Sequence, residues 1–276
     1  MYLTRKIRFS AAHTCRNIRW TEQQNRRQYG ACAMGSGHGH DYICEVTVKG
    51  DIGKESSIVV NLTDIKQILN DTVGVLDMTH LNHDVVEFQG LVPSSEILTY
   101  TLWNRLDPGV SGCTLYRVRL HESRTRYIEY YGGDDMMYVT RQIEFNAAHR
   151  LHSPMLSDEE NALIFGKCNN PNGHGHNYQL EVTVRGTIDM KTGTVMALGE
   201  LDRVIESEVL NRFDHKNLNE DLEEFRSVNP TSEEFARVIW NRLVPHFTSP
   251  ELYKIRLVET SNNAFEYYGE TDDRPY

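Results

Sequence analysis

The sequence contains no run of eighteen apolar residues and opens on no apolar leader-like stretch, so neither a membrane-spanning helix nor a secretory signal is expected. Its five cysteines are an odd, sparse set without the spacing of a disulfide framework. That usage fits free thiols in a reducing cytoplasm. Positive charge is also in short supply: 29 Lys and Arg stand against 39 Asp and Glu, a net −10. Such a surface argues against nucleic acid or an anionic membrane as partner, although a local basic pocket could still hold an anionic small molecule.

What is present is a duplicated cluster of scarce residues. Phe9-Ser-Ala-Ala-His13, Cys32 and His38-Gly-His40 return as Phe145-Asn-Ala-Ala-His149, Cys168 and His174-Gly-His176, each residue displaced by 136 positions. The two triads take half of the twelve histidines. Register of this kind marks two copies of one domain. The first runs over residues 1–133 and the second over 137–276, joined at Gly132-Gly133-Asp134-Asp135.

Each copy shows one order of elements. First strands are expected over Tyr2–Phe9 and Tyr138–Phe145. Second strands follow over His40–Gly50 and His176–Gly186, alternating in β-branched and aromatic residues and ended by glycine. Helices follow near Leu62–Thr72 and Leu198–Leu210, then over Ser95–Leu106 and Ser232–Leu243. Thr231 and Glu234 have the spacing of a capping box, whereas Ser94 can cap but faces Ile97. Closing strands are expected over Leu115–Glu122 with Tyr127–Tyr131, and Tyr253–Glu259 with Phe265–Tyr268. The unit reads β-β-α-α-β-β, an α+β domain with an antiparallel sheet and helices on one face. Its open edges favour oligomerisation through the sheets.

His38 and His40, like His174 and His176, are two apart on a strand and so share a face. With His13 or His149 from the neighbouring strand they form a three-imidazole site with a fourth position free, the pattern of a catalytic zinc. A closed zinc site with Cys32 or Cys168 as fourth ligand is the rival arrangement. Cys168 lies in a loop rich in Asn, Pro and Gly, where a thiol beside a dication can serve as base or nucleophile. Cys44 aligns with Leu180 and reads as core, while Cys15 and Cys113 have no cysteine counterpart and no assigned role. Asp214-His215 can form a proton-handling pair, although such a dipeptide by itself also suits a solvated loop. Glu259, ending a strand, can accept two hydrogen bonds from a planar amidine-like edge or can simply be solvated.

Together these residues resemble the 6-pyruvoyl-tetrahydropterin synthase and 6-carboxy-tetrahydropterin synthase family. The stretches that carry the resemblance are Phe145 to His152, Ser157-Asp-Glu-Glu-Asn161, Phe165 to Tyr178, Asp214 to Leu218 and Leu252 to Thr260. The resemblance implies tunnelling-fold units that close into barrels, with sites between subunits. A homo-oligomer is therefore expected, a trimer before six chains. It further implies zinc on His149, His174 and His176, and on His13, His38 and His40. Magnesium would accompany the triphosphate of the substrate, 7,8-dihydroneopterin triphosphate. Cys168, Asp214 and His215 would be catalytic, and Glu259 with Thr231 and Ser232 would hold the pterin. Five residues between the cysteine and His-Gly-His favour a pyruvoyl over a carboxy product. A non-catalytic pterin or zinc scaffold is the third alternative.

The first copy departs from this pattern. It keeps Cys32, and Asp77 and Glu122 align with Asp214 and Glu259 at a displacement of 137. Met78 then stands opposite His215, so Cys32 and Asp77 read as vestigial and Glu122 as a residual pterin contact. His80 or His83 could replace the missing histidine only along a different backbone path.

Overall fold

The computed structural model describes residues 1–106 and 112–270. The segment 107–111 of the first copy and the last six residues of the second lie outside the described residues. The chain divides into two compact units, one of Met1–Thr140 with Arg185–Glu200, the other of Arg141–Val184 with Leu201–Tyr276. The first unit thus takes in a stretch that the repeat boundary assigns to the second copy.

In the first unit the strands are β1 (Tyr2–His13), β2 (His38–Lys49), β3 (Thr79–His80), β4 (Thr114–Ser123) and β5 (Arg126–Tyr130), ordered β3-β1-β2-β4-β5. The helices are α1 (Glu22–Tyr29), α2 (Leu62–Thr72), α3 (Leu81–Asp84) and α4 (Ser95–Leu106). β1 and β2 pair antiparallel along their whole length, so that His13 faces His38 and Ala11 faces His40. α4 lies against β4 and β5, and α2 against β1. Phe9 stacks on Tyr42 at 5.0 Å between centroids beneath the histidines, and both rings are fully buried. Burying each ring contributes about 2 kcal/mol to the floor on which the site rests.

The second copy repeats the order with β6 (Met136–His149), α5 (Asp158–Phe165), β7 (His174–Thr187), α6 (Glu200–Ile205), α7 (Asn211–Phe213), β8 (Lys216–Asn217), α8 (Leu218–Asp221), α9 (Ser232–Leu243), β9 (Glu251–Thr260) and β10 (Asn263–Tyr267). Its strand order is β10-β9-β7-β6, with β8 beside β6. Phe145 and Tyr178 take the places of Phe9 and Tyr42, stacked at 5.5 Å.

The first strands run on to His13 and His149 and the second begin at His38 and His174, so the strands reach the triads themselves, and other details differ from the sequence reading. β7 continues through Gly186 to Thr187, so glycine ends the second strand only in the first copy. The helix expected from Leu198 begins at Glu200, because the Leu198 N–H donates to Gln28 O instead, and it passes into a π-helical turn over Glu206–Leu210. At α9, Thr231 caps Glu234 N, but the Glu234 carboxylate is taken by Arg237 at 2.6 and 3.0 Å, so the capping box is only half made. Complete boxes occur instead at Thr21–Gln24 and Ser157–Glu160, opening α1 and α5, two helices the hydrophobic pattern did not indicate.

Candidate metal and pterin sites

α1 and α5 matter because they hold the cysteine loops. Each carries a buried asparagine, Asn25 or Asn161, whose side-chain amide donates to three backbone carbonyls of the preceding loop. Its side-chain oxygen accepts from Asn17 N or Ser153 N at 2.8 Å. Buried polar groups are satisfied in this way when they organise a loop. Their common displacement of 136 residues was the sequence signal for them. A short 3₁₀ turn follows, Gly30–Ala33 or Gly166–Asn169, and places Cys32 or Cys168 half-buried beside the first strand. Backbone hydrogen bonds fasten it there: Cys15 N to Cys32 O at 3.1 Å, and Leu151 N to Cys168 O at 2.9 Å. Gly173 then turns the chain into β7 with φ +72°, and a Cβ there would lie 3.0 Å from His149 O. Only glycine meets both demands.

The structure brings both histidine triads together. His13 Nε2 lies 3.2 Å from His38 Nε2, and His149 Nε2 lies 3.2 Å from His174 Nε2. In each triad all three side chains offer nitrogens within 4.8 Å of one another. His13 Nδ1 meets Pro93 O at 2.7 Å, and His149 Nδ1 meets Pro230 O at 2.8 Å. A carbonyl only accepts, so Nδ1 carries the proton and a neutral ring presents a bare lone pair at Nε2. His40 Nε2 and His176 Nε2 are buried without a hydrogen-bond partner. Convergent unprotonated nitrogens repel unless a cation lies between them, so the donor set fits a divalent metal favouring imidazole. Burial lowers the pKa of His149 and His174, which keeps them neutral and ready to ligate. His13 behaves differently. Burial also pulls it down, but the neighbouring Cys32 sulfur outweighs that and raises it.

The thiols are not equivalent. Cys32 Sγ lies 3.8 Å from His13 Nε2 and 3.6 Å from His38 Nε2. A hydrogen bond from Cys15 and the adjacent His13 overcome burial and pull the Cys32 thiol down to about 4. Cys168 makes no comparable sulfur contact among the described residues. Its loop is held by Asn169 Oδ1, which accepts from Arg150 at 2.9 Å and lies 3.0 Å from His152 Nδ1.

The Asp-His pair forms in the second copy. His215 Nδ1 lies 2.9 Å from Asp214 Oδ1, which also accepts from Asn146 N at 2.8 Å. Partial burial raises the Asp214 carboxyl, but these hydrogen bonds outweigh it and hold the group below the usual carboxylate range. His215 sits at φ +57° with its N–H bonded to Asn146 O. The first copy reproduces this backbone: Met78 sits at φ +60° with its N–H on Ser10 O, and Asp77 Oδ1 accepts from Ser10 N at 2.8 Å. Met78 therefore occupies the position of His215 itself, 83% exposed. His80 points Nε2 toward Ser36 O at 3.4 Å and packs on His83.

Glu259 Oε1 accepts from Ser232 Oγ at 2.7 Å and lies 3.8 Å from His149 Nε2 and from His176 Nε2. Thr231 is committed to its helix cap. Glu122 lies 3.6 Å from His40 Nε2, but its other oxygen pairs with Arg126 Nε at 3.0 Å. A cavity of about 820 Å³ opens beside it, lined among others by Arg8, Ser10, His40, Asp77 and Arg124. Glu96 was not anticipated. It is fully buried next to Glu122, and burial raises its carboxyl, whereas the aligned Glu233 is exposed. The Arg185–Glu200 stretch is tied to this unit nearby: Ser94 Oγ donates to Gly193 O, Tyr29 Oη to Thr192 O at 2.9 Å, and Gln28 Nε2 to Thr194 Oγ1 at 2.8 Å.

Comparison with known proteins places the chain in a family. The sequence model of 6-pyruvoyl tetrahydropterin synthase matches residues 2–133 and again 138–270. Human 6-pyruvoyl tetrahydrobiopterin synthase is 50% identical over 132 residues, 48% of this chain and 91% of the human protein. The Drosophila melanogaster protein of the same name is 48% identical over 133 residues, 48% of this chain and 79% of the fly protein. The solved Caenorhabditis elegans 6-pyruvoyl tetrahydropterin synthase is 44% identical and covers 49% of this chain and 96% of its own, with a TM-score of 0.47. The chain thus belongs to the 6-pyruvoyl tetrahydropterin synthase family of lyases, as a tandem member with two tunnelling-fold units.

Proposed function

We propose that the chain is a zinc-dependent lyase that converts 7,8-dihydroneopterin triphosphate, carried with magnesium, into 6-pyruvoyl-tetrahydropterin with loss of triphosphate, and that the second copy performs most of the turnover. The observation that carries the asymmetry is the Asp214–His215 pair at 2.9 Å, which has Met78 in its place in the first copy.

His149, His174 and His176 would hold the zinc, whose charge would acidify the carbon-bound protons beside the side-chain hydroxyls. Glu259 would take the amidine-like edge of the pterin, with Ser232 Oγ holding the carboxylate in place. Cys168 would take a side-chain proton on its sulfur and return it to the neighbouring carbon. His215, oriented by Asp214, would exchange protons with the side-chain hydroxyl, so that loss of triphosphate leaves a neutral product. In the first copy Cys32 and Glu122 remain, but no imidazole stands beside Asp77, so this unit would bind metal and pterin with little turnover.

The test is turnover of the zinc-loaded full chain, with products read by mass spectrometry. Cys168→Ala is expected to lower turnover by about three orders of magnitude, and Cys32→Ala by less than about twofold. Equal losses would overturn the asymmetry. A carboxy- or hydroxymethyl-pterin product would move the chain to a sister activity. Binding of substrate without triphosphate release would support a scaffold.

A further inference from the structure

Cys15 has no counterpart in the second copy, where Leu151 holds the aligned position. It is 1% exposed, in a small cluster with Tyr29, Ala33 and Val92, and Cys32 packs against that cluster. Cys15 N donates to Cys32 O at 3.1 Å, although the two residues are far apart in sequence. Backbones joined by such a bond place their Cα atoms within the range of about 4.4–6.8 Å that a disulfide spans. The two sulfurs and a ring nitrogen of His13 lie within 4.8 Å of one another. Cys15 Sγ stands 4.0 Å from His13 Nδ1, on the side of the ring away from the metal-facing Nε2. Cys32 Sγ stands 3.8 Å from that Nε2. A rotation about the Cys32 side chain is the motion that would carry its sulfur from the triad to Cys15.

We infer that Cys15 and Cys32 form a reversible disulfide that disables the thiol of the first copy only. The oxidant is a low-molecular-weight disulfide. Cys32, half-buried and so the first to be reached, gives up its proton as its sulfur attacks one sulfur of the oxidant. One thiolate leaves and a mixed disulfide remains on Cys32. Cys15 then gives up its proton and attacks Cys32 Sγ, expelling the second thiolate. Two protein thiols are oxidised, one small disulfide is reduced to two thiols, and the two protons released go to those thiols. Cys168 has Leu151 in place of a resolving thiol, so its reaction stops at the mixed disulfide. The consequence for the first site rests on reading it as a metal and pterin site, whereas the pairing itself does not.

The reduced full chain would be incubated with oxidised glutathione, its remaining thiols alkylated, and its peptides mapped by mass spectrometry. The expected product joins the Cys15 and Cys32 peptides with the loss of two hydrogen atoms and reverts with dithiothreitol. Cys15→Leu, which installs the residue the second copy carries, is expected to leave Cys32 as a glutathione adduct, roughly tenfold more abundant than in the unmodified chain. Leu151→Cys is expected to transfer pairing to Cys168. Unpaired, alkylated Cys15 across the whole redox range would overturn the inference, as would equal adduct on Cys32 with and without Cys15. Pairing is read from peptide masses and lyase action from product, so each can fail without the other.

Discussion

The loops Asp77-Met78 and Asp214-His215 share one backbone and differ in one side chain. Both turn through positive φ, both place an N–H on the first strand, and both aspartates cap the same strand position. A histidine visits that region more readily than a methionine, for which the conformation costs about 1 kcal/mol. The strained turn survives in the first copy although the group that would use it is gone. Scaffold and chemistry are therefore specified by different numbers of residues. Paired strands and a proline carbonyl hold the histidine triad and a buried asparagine holds the cysteine loop, whereas the two Asp loops differ by the one side chain at Met78 and His215.

The sharpest way to break this comparison is through the metal sites. His176→Ala is expected to remove one of two bound zinc ions per chain and all measurable turnover. His40→Ala is expected to remove the other and leave turnover within about twofold, since the two sites share no ligand. Metal content by emission spectrometry, read beside product formation, decides. Loss of turnover from both variants would mean that the units act together.

The next test restores what is missing. Met78→His, in a chain already carrying Cys168→Ala, is expected to raise the residual turnover by about ten- to a hundredfold, because Asp77 is already oriented by Ser10 N. The acceptor for the ring is present and the backbone is already in place. No gain would show that the Arg126–Glu122 ion pair, or the cover over Ser94, closes the first site to substrate.

The triads were legible because two positions on a strand fix a shared face, and because the pattern occurs twice. The position of Cys32 and Cys168 followed from the same register. The helices α1 and α5 were not legible by period, since each buries little apart from its asparagine and, in α1, Tyr29. Their capping boxes were the readable sign. The place of Arg185–Glu200 in the first unit could not be read either, because it depends on contacts between residues 99 to 166 positions apart. Gly193 marks it: its φ is +71°, and a Cβ there would lie 2.8 Å from Val92 O. Nor did the Thr231–Glu234 spacing disclose that Arg237 would compete for the same carboxylate.

The smallest effect concerns stability. Glu224 is held by Arg212 at 2.8 and 2.6 Å and by Arg242 at 3.2 Å, whereas among the described residues the aligned Glu87 has only Arg105, at 2.9 and 2.6 Å, with Val75 where Arg212 would be. The Arg212 hydrogen bond lowers the pKa of Glu224; for Glu87 burial opposes, and Arg105 prevails. A carboxyl whose pKa is lower folded than unfolded stabilises the fold fully above the unfolded value, near 4.3, and loses that contribution as pH falls through the folded value. Glu224→Gln is therefore expected to cost about 1–2 kcal/mol at neutral pH, read as loss of amide-exchange protection in α9, with the deficit shrinking below about pH 4. Glu87→Gln is expected to cost less than about 0.5 kcal/mol in α4, because its carboxylate is 41% exposed and water screens the pair. Equal deficits would mean that the second arginine adds nothing, and a deficit that grew in acid would reverse the sign of the linkage.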